Sequence, residues 1–304
     1  MIDKLLTFYT PRMAIAVEEA PEADKPRQVA VSLEMSRLPI QLLTPEPVTP
    51  TDLALAHHPD YVAAVLAGSR QTGFGYRARS ADLAATLPTG ALLAAARAAL
   101  EGRGPCAALA SGFRHAGYNH GGIGCTFNGL MVAALKLMAD GSIERLAIID
   151  ADHGFSAGTD EILSRWRDRP RQSNRFDGAC RDISHHSLGR AFHAPWSASA
   201  YLERMRALGA ELEAFEPELI LYQAGTDASA VLSDDGLFER DCRLFEHAAR
   251  LRIPVAWCIG GGYEQEPDGS IPRTIDRHIA TFRAALRFAR PWPEVEPEES
   301  MVPL

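Results

Sequence analysis

The sequence predicts an α/β fold on a central, mostly parallel sheet. Three observations carry this. From Cys106 onward, short apolar runs alternate with helical stretches, the order that puts helices on both faces of a parallel sheet. Some of those runs, Leu146 to Ile149 above all, are continuously apolar, as in strands covered on both faces. Finally, several runs stop abruptly in charged, histidine-bearing or glycine-rich segments, and open α/β sheets keep their ligands at the carboxyl ends of strands. A chain of 304 residues with 46% hydrophobic content can bury one large core. No internal repeat or linker divides it, so a single domain over residues 1–304 is expected, with a Pro- and Glu-rich tail that frays.

In chain order, Leu5 to Tyr9 reads as an opening strand, followed by a Pro- and Glu-containing loop. Arg27 to Met35 has helical spacing, and Ile40 to Leu43 reads as a second strand. Thr51 and Asp52 are expected to cap a short helix, and Asp60 to cap Tyr61 to Leu66. Gly68 to Arg79 has no period and reads as a surface loop. Pro88 to Leu100 is Ala-rich with Leu at helical spacing, a strong helix. A small-residue strand, Cys106 to Ala110, leads into SGFRHAGYNHGGIGCTFN, a long loop dense in Gly and His. A helix from Gly129 to Met138 feeds the Leu146 strand, which ends in Asp150, Asp152 and His153 before a helical stretch from Asp160 to Trp166. A strand at Cys180 to Ile183 is expected to end in Ser184, His185 and His186. Helices at Tyr201 to Phe215, Leu237 to Ala249 and Arg273 to Phe288 then separate strands at Leu219 to Tyr222 and Pro254 to Cys258.

The composition excludes several classes. With 31 basic against 39 acidic residues, net −8, and no basic stripe, nucleic acid is not an expected partner. No apolar run reaches the roughly 20 residues of a membrane span. The N-terminus MIDKLLTFYT lacks the cationic and apolar segments of a signal peptide. The five cysteines (Cys106, Cys125, Cys180, Cys242 and Cys258) form no CxxC pair, which fits a reducing compartment and argues against a thiolate zinc site. A cytoplasmic protein with a small-molecule substrate is expected; homo-oligomer formation is left open.

Four strand ends carry the chemistry: His115 with His120; Asp150 with Asp152 and His153; Asp227; and Gly260 to Tyr263. Strand carboxyl ends of a parallel sheet lie along one edge, so these groups can meet in one cleft. Two carboxylates and a His around a divalent ion, with an open position, form a workable catalytic zinc shell. A second His can move a proton, and a Tyr hydroxyl can stabilise an oxyanion. Each residue alone has a bland explanation: a hydrogen-bonded core His, a capping Asp, turn glycines. Their recurrence after apolar runs favours a site.

Read together, HAGYNHGGIGCTFNGLMVAA, IIDAD, LYQAGTDAS and IGGGYEQEPDGS resemble the histone deacetylase and acetylpolyamine amidohydrolase superfamily, over nearly the whole chain. The resemblance implies the three-layer arginase–deacetylase α/β/α fold and zinc-dependent hydrolysis of an acyl amide on a lysine or polyamine. It implies Asp152 and Asp227 as carboxylate zinc ligands, His115 as general base and acid, Tyr263 as the group polarising the substrate carbonyl, and Asp150 as the residue orienting the first of the family's paired histidines.

The chain departs from that pattern where it matters. The first paired histidine is Arg114. The family's Asp-x-Asp-x-His becomes Asp152 followed directly by His153, and an ungapped count puts Gly154 at the ligand position. Gly124 replaces an apolar tunnel residue, Ala157 an Asp or Asn, and Arg77 an Asp. Two readings stand. In one, His153 swings round to complete a zinc shell with Asp152 and Asp227, although adjacent residues of an extended chain point to opposite faces. In the other, the third ligand is lost and Arg114 pairs with Asp150 as a fixed charge, leaving an impaired homologue that binds a ligand or partner. A third use of Arg114, holding a carboxylate-bearing substrate, is also open. His120 is a spare ligand candidate, expected to face solvent.

Overall fold

The computed structural model describes residues 4–13, 21–75, 77, 81–154, 156–168, 183–188, 197–262 and 264–289. Seven strands form one sheet: β1 (Leu5–Phe8), β2 (Ile40–Leu43), β3 (Cys106–Ala108), β4 (Leu146–Asp150), β5 (Ile183–Ser187), β6 (Leu219–Gly225) and β7 (Val255–Gly260), in the order β2-β1-β3-β7-β6-β4-β5. Every pairing among them is parallel. The helices are α1 (Lys25–Met35), α2 (Pro50–Leu53), α3 (Pro59–Leu66), α4 (Ala81–Leu100), α5 (Gly129–Ala139), α6 (Ala157–Arg167), α7 (Ala198–Phe215), α8 (Asp234–Leu251) and α9 (Pro272–Phe288).

The helices form two rows. α4 packs on α5 and α5 on α6, while α1, α9, α8 and α7 pack in that order. The sheet lies between the rows, giving a three-layer α/β/α architecture. Because both faces are covered, every residue of β4, β6 and β7 is buried, which is why these strands read as unbroken apolar runs. Trp257 of β7 anchors the α8–α9 side, its ring edge-on to Phe245 at 5.3 Å and Phe282 at 5.2 Å.

Several boundaries differ from the sequence reading. α4 begins at Ala81 and runs through Pro88; its packing on β1, β3 and β7 offsets the one backbone bond that proline forgoes. α2 is capped by Thr49, which forms a capping box with Asp52, and α3 by the His58 ring, which accepts from the Asp60 N–H; Thr51 and Asp60 are therefore not the caps. The strand expected to end at Ile183 continues to Ser187. β5 pairs with β4 from Leu146↔Ile183 to Asp150↔Ser187, so His185 and His186 lie within the strand; residues 180–182 lie outside the described residues.

Candidate functional site

Three neighbouring strand ends build the site. β4 ends in Asp150, opposite Gln223 of β6, and the Ala151 N–H continues the ladder to Gln223 O at 3.1 Å. Asp152 then turns towards β6: its backbone N–H donates to Asp150 Oδ1 at 3.0 Å, and its own Oδ1 accepts from the His153 N–H and the Asp227 N–H, both at 3.1 Å. Asp227 Oδ1 accepts from the Gly262 N–H at 2.6 Å. A glycine permits this convergence, since a Cβ at Gly225 would fall 2.1 Å from Asp152 Cγ.

Three carboxylates thus gather at one rim, with Asp150 and Asp152 at 0% and 1% exposure. Burial and the charge of Asp152 push Asp227 up, and burial pushes Asp150 up despite Arg114. Such a cluster requires positive charge. Arg114, 5% exposed, supplies it: Nη1 lies 3.6 Å from Asp150 Oδ2 and Nε 3.5 Å from Asp152 Oδ2. The same guanidinium donates to His153 O at 2.5 Å and Gly154 O at 3.1 Å. Gly154 has φ +89°, and a Cβ there would look onto Arg114 Nη2 at 3.8 Å. The guanidinium therefore sits in the space towards which a side chain at 154 would project. A second cation, Lys25, is 3% exposed and donates to Gly261 O, and it lowers the pKa of Asp227 by its charge.

These residues do not fit a zinc ion. Among the described residues, no group of three or more His, Cys, Asp or Glu side chains is placed to hold a metal, so the expected shell of Asp152, His153 and Asp227 is not assembled. At His153 it is the backbone that faces the cluster, donating to Asp152 and accepting from Arg114. A divalent ion on Asp152 Oδ2 would stand within about 5 Å of the guanidinium, a repulsion of roughly 5–7 kcal/mol at an effective dielectric of about 20. Two built-in cations balance the three carboxylates to a formal −1, as a divalent ion would. Arg114 is also committed to carbonyls and carboxylates, which argues against the use of its charge to hold an anionic substrate.

His115 adjoins Arg114; burial first, then the Arg114 charge, push its imidazole down to about 4, so it is neutral near pH 7. Tyr263 lies outside the described residues. His120 is half-exposed, with Nδ1 3.7 Å from Glu161 Oε2. Gly124 has the Phe74 ring 3.3 Å from where a Cβ would stand, so an aromatic from a distant loop covers the position.

The sequence reading missed Lys25 and a buried clamp under the site. Arg240, 1% exposed, donates to Ala151 O at 3.1 Å and Gly225 O at 2.6 Å, tying the ends of β4 and β6. Its Nε donates to Asp241 Oδ1 at 2.8 Å, and Tyr222 and Thr281 also donate to that carboxylate. The available signal was an Arg–Asp pair on the face of α8 that otherwise carries Leu237, Leu244 and Phe245.

The profile of the histone deacetylase domain matches residues 20–281. The chain is 27% identical over 266 residues to an uncharacterised protein of Picosynechococcus sp., covering 81% of this chain and 85% of that one. It is 27% identical over 297 residues to the acetoin utilization protein AcuC of Bacillus subtilis, covering 84% and 74%. Among solved structures, the HDA15 HD domain superposes with a TM-score of 0.71 at 20% identity, covering 92% and 90%. The acetylpolyamine aminohydrolase of Burkholderia pseudomallei gives 0.69 at 18% identity, covering 93% and 98%. The fold is theirs, and with a profile match across most of its length, the chain belongs to the histone deacetylase domain family.

Proposed function

We propose that this chain is a metal-free member of its family, impaired in zinc-assisted deacylation, whose cleft binds an acylated amine or a similar small amide. The observation that carries this is Arg114, whose guanidinium lies 3.6 and 3.5 Å from the buried carboxylates of Asp150 and Asp152. A permanent cation there opposes a divalent ion electrostatically and fills the space beside Gly154. What remains for a ligand is a neutral imidazole at His115, which can accept a hydrogen bond or a proton. The same proposal holds that the protein is cytoplasmic, with neither nucleic acid nor membrane as partner. The net charge of −8 supports the exclusion of nucleic acid, and no described helix is long and apolar enough to cross a membrane.

A second reading, a zinc-dependent amidohydrolase acting on an acyl-lysine or acylpolyamine, is favoured by one observation: the two carboxylates expected to bind zinc remain neighbours, with the Asp227 N–H 3.1 Å from Asp152 Oδ1. Metal content separates the two. The protein is loaded with zinc, desalted and analysed, then offered acetyl-lysine peptides and acetylated polyamines with calorimetric and product readouts. Zinc well below one per chain, with a ligand bound but not hydrolysed, is the expected result. About one zinc per chain, lost in Asp227→Ala together with amide hydrolysis, would overturn the proposal.

A further inference from the structure

Residues 154–158 read Gly-Phe-Ser-Ala-Gly, a G-x-S-x-G segment that follows β4 in the chain and whose last two residues open α6. Strand–turn–helix is the context in which that pattern carries a nucleophilic serine. Ser156 is the N-cap residue of α6, yet its side chain makes no capping bond; it adopts φ −87°, ψ 63°, outside the helical and extended basins. Its hydroxyl instead lies 3.3 Å from His185 Nε2 on β5. His185 Nδ1 in turn lies 2.8 Å from Asp160 Oδ1, one helical turn beyond Ser156.

We propose that Ser156, His185 and Asp160 form a serine-type acyl-transfer site. If Nδ1–H donates to Asp160, Nε2 is left as the acceptor for the Ser156 hydroxyl, the tautomer a general base needs. The chain order Ser, Asp, His is that of α/β-hydrolases. Helix geometry leaves the N–H groups of Ala157 and Gly158, in the first turn of α6, without intrahelical acceptors, so they can donate to an oxyanion. The turn is braced on the carboxylate site, since the Thr159 N–H donates to Arg114 O at 3.2 Å. The inference does not rest on the metal-free reading, because a zinc at Asp152 would leave these three side chains as they are.

In the reaction, Ser156 Oγ bonds to the carbonyl carbon of an ester or activated amide while its proton passes to His185 Nε2. Collapse breaks the bond to the leaving alcohol or amine, which departs with that proton, leaving an acyl ester on Ser156. Water adds to this ester and gives a proton to His185. Collapse then releases the carboxylic acid and returns the proton to Ser156. Ser156 is 0% exposed and the His185 ring 3%, so an acyl donor reaches the hydroxyl only through local opening. A purely structural network would be equally buried but unreactive, and this difference can be measured.

The full chain is incubated with p-nitrophenyl acetate or an alkyl fluorophosphonate, with and without a chelator, and the adduct is mapped by peptide mass spectrometry. An adduct on Ser156 that survives chelation is expected; it is read on the unaltered chain and depends on no variant folding. Ser156→Ala should lower ester turnover at least about 100-fold, and Asp160→Asn should lower it less. Ser156→Cys should still acylate. Adducts only elsewhere, or turnover within about twofold of the parent in Ser156→Ala with an unchanged melting temperature, would overturn the assignment. So would turnover abolished by the chelator but retained in Ser156→Ala, which would instead count for the zinc reading and against the metal-free one.

Discussion

Replacing Arg114 by Ala strips the carboxylate cluster of its nearest cation. Two contacts to buried carboxylates and two hydrogen bonds to the carbonyls of residues 153 and 154 disappear together. Asp150 and Asp152 stay buried and lose this compensation, while the charge of Lys25 acts on Asp227. Breaking a buried pair by removing one partner costs about 3–5 kcal/mol, because the remaining charge is uncompensated. At about 2.1 cal/mol/K of unfolding entropy per residue, a chain of this length should lose roughly 5–8 °C in melting temperature. Urea unfolding near pH 7 would measure the loss, and a double-mutant cycle would assign it. Asp150→Asn alone should also destabilise, by leaving Arg114 under-compensated, whereas Asp150→Asn added to Arg114→Ala should recover part of the loss. A change below about 1 kcal/mol for Arg114→Ala, or strict additivity in the cycle, would refute the placement of the guanidinium as the charge that holds the cluster together.

Other outcomes follow from the same geometry. His57 is fully buried, donating through Nδ1 to Gly117 O at 2.9 Å and accepting the Asn128 N–H at Nε2 at 2.8 Å. Burial pushes it down from 6.5 to about 4, so between these values the unfolded chain takes up a proton that the folded one refuses. Its contribution to stability is present above pH 6.5 and falls by roughly 3 kcal/mol as the pH drops to 4; denaturant titrations of the parent and His57→Asn should differ in slope over that range. Arg240→Met should cost about 3–5 kcal/mol by leaving the Asp241 charge uncompensated and untying the ends of β4 and β6 at Ala151 O and Gly225 O, with part of the loss recovered by Asp241→Asn. Gly225→Ala sets a methyl 2.1 Å from Asp152 Cγ and should destabilise by about 1–3 kcal/mol while displacing Asp152 from Asp227, a change visible as a chemical-shift change at the Asp227 amide.

Much of the scaffold could be read before any coordinates. β4, β6 and β7 are buried on both faces, and burial on both faces leaves the unbroken apolar runs from which they were read. Arg114 was recognisable as an intruder because it stands beside His115 in an otherwise familiar loop, and its pairing with Asp150 followed from the need to compensate a carboxylate at a buried strand end. Less legible were features in which packing overrides local preference. Pro88 sits inside α4 because that helix is held by β1, β3 and β7. The histidines of β5 lie within the strand because the ladder to β4 fixes their register.

What the sequence by itself determined is local: which stretches are apolar, where they stop, and which side chains at their ends cannot be buried alone. Local pattern records burial and turn chemistry because both act on neighbours along the chain. Only the tertiary structure decided how those ends meet. Residues 114, 150, 152 and 227 share one rim because β3, β7, β6 and β4 are successive neighbours in the sheet, an order that no local periodicity encodes, and α1 adds Lys25 to it. It also decided that Arg114 turns into the carboxylates and space beside Gly154, with His153 offering its backbone. Charge compensation between residues more than a hundred positions apart depends on distances in space, and those are set by the packed sheet.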